Sequence, residues 1–236
     1  MKKLFSHPLF YNVFLLLGLL GMGAQFWFAT VKPDAAGLLP EQHPATMITI
    51  ILTVITAILA ILTTPYIQLP HHGAVLRAVG GYAAAVFMLI SAIFQLMQGD
   101  ILSGILALLA ALGSVYVGIC RMRKARVHYT AYALFAVCFM FYLISRYRVW
   151  SAEPETVRYL FQLLALVCAM LVFYQKAALR ARTGKFATYH FWHSMTLMLC
   201  LTAVPTAGNP SLYLAAAIWM TLDSSPRRKE TQEEQA

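Results

Sequence analysis

The chain has 236 residues, 60% of them hydrophobic and 11% charged, and a formal net charge of +9. A soluble domain carries about a quarter charged residues, and a disordered chain combines low hydrophobicity with high charge, so both classes are excluded. At ~20 residues per crossing, about eight membrane spans with short connections use up the length and leave no soluble domain.

The first apolar run, 8–30, follows Met1-Lys2-Lys3 and closes on Phe26-Trp27-Phe28. A basic start before an apolar stretch is also how a signal peptide begins. This run is longer than a signal's apolar core, lacks a small-residue cleavage site and ends in an interfacial aromatic anchor, which predicts a retained span. Runs at 44–64, 75–97, 101–120, 128–145, 157–175 and 187–204 predict spans two to seven. The eighth run, 210–222, covers only about 20 Å as a helix. It requires local thinning of the bilayer or a position buried among other helices. All ten prolines fall at or outside these ends, where a missing N–H costs least, and Asn209-Pro210 reads as a helix cap and first turn. The expected fold is an all-α, polytopic integral membrane bundle of about eight helices. It forms a single transmembrane domain over 1–223, followed by a short disordered cytoplasmic tail over 224–236.

Lys and Arg sit in short clusters between the apolar runs. That is the pattern of cytoplasmic loops and not of a nucleic-acid-binding face, so no nucleic acid partner is expected. With the N-terminus inside, only Lys32, Arg146, Arg148 and Arg158 of the 18 Lys and Arg face outward, leaving 14 on the cytoplasmic side. The positive-inside rule then places both termini in the cytoplasm of a bacterial-type plasma membrane.

The second span carries Thr49, Thr53, Thr56, Ala60, Thr63 and Thr64 near one face. The third carries Gly80, Gly81, Ala84 and Ala85. The fourth carries Ser103, Ala107 and Ala111 beside Ala110, Ser114 and Gly118. Small rows let helix backbones approach closely, which predicts a tight bundle of spans two to four, or self-association through the same faces. A hydroxyl-lined permeation path is the functional alternative. No Asp, Glu, Lys or Arg lies mid-span, which counts against ion-coupled transport. Gln25, Gln95 and Gln162 lie in the outer halves of their spans. Bonds across helix contacts are the expectation for them, and a shared outward-facing pocket is the alternative.

The densest polar segment ahead of the tail, 145–159, holds Arg146, Arg148, Glu153, Glu155 and Arg158. Arginine pairs bidentately with carboxylates and phosphates, so these residues form a candidate external site for an anion, a ligand or a lipid head group. A self-compensated cap anchored by Trp150 and Tyr159 explains the same residues. From Tyr142 to Gln175 this segment and the following span resemble uncharacterised bacterial multi-pass membrane proteins. That resemblance carries no catalytic motif and implies no activity.

Six of the seven histidines, His43 excepted, map to the cytoplasmic end. His190 and His193 are three apart at the start of span seven, where head-group contact beside Tyr189 and Trp192 explains them. Metal or haem ligation is the alternative, without an HExxH motif or acidic partner. Cys120, Cys138, Cys168 and Cys200 lie in apolar runs with no CxxC pair and read as small buried apolar residues. No cofactor or metal is expected. No nucleophile constellation or phosphate loop appears, so the function classes rank as follows. A non-catalytic permease-like protein or membrane subunit of a larger assembly comes first, then a sensor acting through a partner, then an enzyme acting on lipids.

Overall fold

The computed structural model describes residues 9–30, 43–64, 73–123, 125–150 and 156–222, the side chains of 9–11, 149–150 and 156–158 excepted. Its described residues form eight α-helices and no strand: α1 (Leu9–Ala29), α2 (Pro44–Thr63), α3 (Ala74–Met97), α4 (Ile101–Met122), α5 (Tyr129–Trp150), α6 (Thr156–Arg180), α7 (Phe186–Ala203) and α8 (Pro210–Leu222), with a 3₁₀ turn (Val204–Thr206) after α7. Six helices, α1 to α6, are long and apolar enough to cross a membrane. α7 has 18 residues but too many polar ones, and α8 has 13. The tail at 224–236 lies outside the described residues.

Contacts between chain-distant residues give every helix a direction. Phe14 of α1 meets His190 near the start of α7, and a methyl added at Gly18 would meet Leu201 and Met198 further along, so α1 and α7 run parallel. Gln25 near the end of α1 bonds Thr49 near the start of α2. Ser103 of α4 lies beside Ser145 of α5, and Arg121 at the other end of α4 bonds Tyr132. Gln162 of α6 reaches Thr206 beyond α7. Asn209, just before α8, meets Ser91 in the second half of α3, while Leu222 at the end of α8 lies against Gly80. The helices alternate, so one end of the bundle carries Arg77, Arg121, Arg123, Arg126, Lys176, Arg180, Arg182 and Lys185, and the opposite end carries Arg146 and Arg148.

The most extensive interface joins α3 and α4. Ala84, Ala85, Ala107, Ala110, Ala111, Ser114 and Gly118 are all buried. A Cβ added to Gly81 would lie 3.2 Å from both the Cα and N of Gly118, which is contact between backbones. The turn joining the two helices spans three residues and places Gly99 at φ +80°, a conformation glycine adopts without penalty. Asp100 then caps α4, accepting from Ser103 N at 3.3 Å and from Ser103 Oγ at 2.7 Å.

The expected grouping of spans two to four holds for α3 and α4 but not for α2, whose described interfaces are with α1 and α7. Thr49, Thr53, Thr56 and Thr63 each donate to the carbonyl four residues earlier, at 2.7–2.8 Å. Hydroxyls bonded to their own helix leave a smooth face for packing.

Two helices run well past the sequence expectation. α5 continues through Arg146 and Arg148 to Trp150, and α6 continues through Lys176 to Arg180. Arginine and lysine are good helix formers and a helix end extends past the apolar run when its flanks remain helical. α8 keeps the expected bounds, and of the two options for its short length it takes the buried one: eight of its 13 residues are buried against α3 and α7.

Candidate functional site

The one described helix of 18 residues or more that falls short of a candidate membrane span occupies the most enclosed place. α7 contacts α1, α2, α6 and α8, and twelve of its 18 residues are buried, among them Tyr189, His190, His193, Ser194, Thr196 and Thr202. Membrane helices exclude such groups from lipid because an unsatisfied polar atom is costly there. Surrounding α7 with apolar neighbours keeps the group inward.

Its polar side chains fall into two sets. Thr196 Oγ1 donates to Trp192 O at 2.7 Å and Thr202 Oγ1 to Met198 O at 2.9 Å. Tyr189 Oη and His193 Nδ1 share a hydrogen bond at 3.2 Å. The second set is unmatched: both ring nitrogens of His190 and the hydroxyl of Ser194 are buried without a hydrogen-bond partner. His190 meets only an aromatic edge from α1, its ring centroid 6.1 Å from that of Phe14 at 76°. The two histidines are therefore not head-group residues at the surface, as their neighbours in sequence suggested, because both are 0% exposed. Among the described residues no three His, Cys, Asp or Glu side chains come together to hold a metal.

Beside α7 an aromatic cluster closes the basic end. Phe135 of α5, Phe173 of α6 and Trp219 of α8 have ring centroids 4.8–5.6 Å apart. Lys176, expected in a loop, is 1% exposed, with Nζ 5.0 Å from the centroid of Tyr132 and 6.0 Å from that of Trp219. A desolvated ammonium over π-faces gains cation–π attraction. Arg121 Nη2 donates to Tyr132 Oη at 3.1 Å, so two basic groups converge on one tyrosine.

At the opposite end the three outer glutamines separate. Gln25 donates to Thr49 at 3.0 Å, Gln95 to Ser91 Oγ at 2.9 Å, and Gln162 to the Thr206 carbonyl at 2.8 Å. Gln25 and Gln162 bond across helix contacts as expected, Gln95 bonds within its own helix, and each of the three has a different partner. Ser91 also accepts from Asn209 at 2.8 Å, and Asn209 Oδ1 accepts from Ser211 at 2.6 Å, so Asn209 ties α8 to α3 as well as preceding its first turn. A cavity of about 20 Å³ lies between α3, α4, α5 and α8, lined in part by Gln95, Ser103 and Tyr142. Gln95 Oε1 lacks a partner, and a space of this size holds about one water.

Of the external residues, Arg146 is on α5, its Nε donating to Tyr142 Oη at 3.1 Å, its guanidinium 5.3 Å from that ring and Nη2 4.0 Å from Asp100 Oδ2. Arg148 is exposed two residues on. Glu153 and Glu155 lie outside the described residues, as does the side chain of Arg158 in the first turn of α6. Asp100, 45 residues upstream of Ser145 in sequence, is the partner that the local loop reading missed; its position directly before an apolar run and three residues before Ser103 was the signal.

No family model, curated protein or solved structure matches this chain, so the likeness over Tyr142 to Gln175 leads to no named family, and the chain stands as an all-α, multi-pass membrane protein.

Proposed function

We propose that the protein is a permease-like, non-catalytic protein that crosses a bacterial-type plasma membrane eight times, with both termini cytoplasmic and α7 as its polar axis. One observation carries this reading: α7, the one described helix of 18 residues or more that is not apolar enough to count as a candidate span, is enclosed by apolar helices. In a membrane, intramembrane polar groups facing a bundle interior are characteristic of substrate and ion paths. The basic end of the bundle supports the orientation through the positive-inside rule.

The test is reconstitution into vesicles, with proton flux and the permeation of small polar solutes measured against empty vesicles. Flux above background is the expected result, and equal traces for all solutes and protons would refute the permease-like reading. Reporter fusions at Lys124 and after Lys229 are expected to report cytoplasm, and one at Glu153 the outside. A cytoplasmic signal at Glu153 would remove the orientation.

A second reading concerns the external arginines. Arg148 is exposed and Arg146 is only 21% exposed beside Asp100, which supports a small anion or lipid head-group site completed by Glu153, Glu155 and Arg158. Co-purification of anionic lipid with wild type but not with the double variant Arg146→Gln/Arg148→Gln is the expected outcome. Equal retention by both proteins removes this site.

A further inference from the structure

We propose that His190, with Ser194 one turn along α7, is a proton-binding site in the bundle core, so that whatever crosses or is sensed by this protein does so in a proton-linked way. The proposal deepens the permease-like reading and rests on it for its flux consequence, but not for proton binding itself.

Buried polar atoms in folded proteins almost always find a partner, and an exception calls for a physical account. Here three such atoms, both ring nitrogens of His190 and Ser194 Oγ, are unmatched on residues that are 0% exposed. The spacing of four residues places them on one face of the helix. His193, on the same helix and equally buried, has its bond to Tyr189. The environment of α7 therefore satisfies a histidine where the role is structural and leaves its neighbour open.

The candidates for what His190 receives are few. A metal needs several ligands held together, and no group of three His, Cys, Asp or Glu exists among the described residues. The edge of Phe14 covers the imidazole. A proton carried by water requires only brief access. The α1–α7 contact changes character along its length. At Gly18 an added methyl would approach Leu201 Cδ1 to 2.8 Å and Met198 Cα to 3.2 Å, whereas at Phe14 an aromatic edge faces unmatched polar atoms. Parting of the helices at the Phe14 end admits water where it is best accepted. A ring nitrogen lone pair then takes a proton from hydronium, releasing water. The admitted water solvates the imidazolium and the unmatched Ser194 hydroxyl one turn along, and loss of the proton to a second water restores neutral His190.

Few charged groups compete. The described side chains of α1 and α2 include no titratable group. α6 brings Lys176 at the same end, seated over Tyr132 and Trp219, with Arg180 beyond it; Tyr159, Cys168 and Tyr174 are its other titratable side chains. α8 brings Tyr213, near the opposite end, and α7 itself Tyr189, His193 and Cys200. No described carboxylate lies on any helix packed against α7, so a proton on His190 has no fixed counter-charge there and its uptake depends on water reaching the ring.

The test uses full-length protein in lipid nanodiscs with ¹⁵N-labelled histidine. The ring resonances of wild type are followed from about pH 8 down to the acid limit of the fold, and assigned by loss in His190→Gln and, separately, in His193→Gln. The His190 resonances are expected to move reversibly with pH, with a changed midpoint in Ser194→Ala. Resonances of His190 that stay fixed while the fold persists would overturn the proposal. The same proteins in vesicles with an internal pH dye separate the two readings. Proton flux lost in His190→Gln but retained in His193→Gln supports both. A titrating His190 with neither proton nor solute flux in wild type keeps the proton site and removes the permease. Flux unchanged by His190→Gln overturns the proton-linked role of His190 and leaves the permease standing.

Discussion

The α3–α4 pair and helix α7 are both deeply buried, and they are built on opposite terms. Between α3 and α4 the side chains shrink until backbones touch: Gly81 faces Gly118, with alanines and serines around them. Ser114 Oγ returns to its own helix at 3.0 Å, so little polar is left open. α7 is surrounded by four helices yet keeps His190 and Ser194 unmatched. Lipid tails are as apolar as leucine, so helix association in a bilayer draws on van der Waals contact and hydrogen bonds. The first region maximises contact. The second leaves buried polar atoms unmatched, the basis of the proton site proposed for α7.

Gly81→Leu should break this contrast most severely. The added side chain meets the backbone of Gly118, which cannot rotate away, and overpacking costs about 1–3 kcal/mol or more. Thermal unfolding in detergent should show a clear loss; an unchanged transition would mean that the two helices separate easily. Asn209→Leu should follow closely. It removes the bond to Ser91 and the acceptor of Ser211 Oγ, and leaving buried partners unmatched costs about 1–3 kcal/mol.

His190→Leu sharpens the comparison from the other side. Its ring nitrogens have no bonds to lose, and replacing a buried unpaired polar group by an apolar one is neutral to stabilising. An unfolding transition equal to wild type or higher is expected; a marked drop would show that the imidazole is held by a bond after all. Gly23→Ala serves as a control for Gly81. Nothing lies within 4 Å of its added Cβ, and removing a mid-helix glycine gains about 0.5–1 kcal/mol. Arg146→Gln should have the smallest effect on folding. Its 4.0 Å approach to Asp100 is partly exposed, and such pairs contribute ~0–1 kcal/mol.

The sequence by itself determined the class of molecule, the eight helices of the described residues and most of their ends. Apolar runs between basic clusters leave a chain few options in a bilayer, and Pro44 and Pro210 fit a first turn, where the missing N–H costs least. It also marked the α3 and α4 rows as packing surfaces, because small residues at spacings of three and four lie on one face in any helix. What it left open was partnership. The α2 row met α1 and α7 instead of α3, since a face shows its shape but not its neighbour. The extension of α5 to Trp150 and of α6 to Arg180 followed from helix propensity beyond the apolar run. Only the tertiary structure decided that α7, with its buried histidines and hydroxyls, sits in the middle, that Lys176 leaves the loop for a bed of aromatic rings, and that His193 is bonded while His190 is not. Burial and hydrogen bonding of a side chain depend on the helices around it. Those helices come from positions far apart in the chain, so no local pattern can encode them.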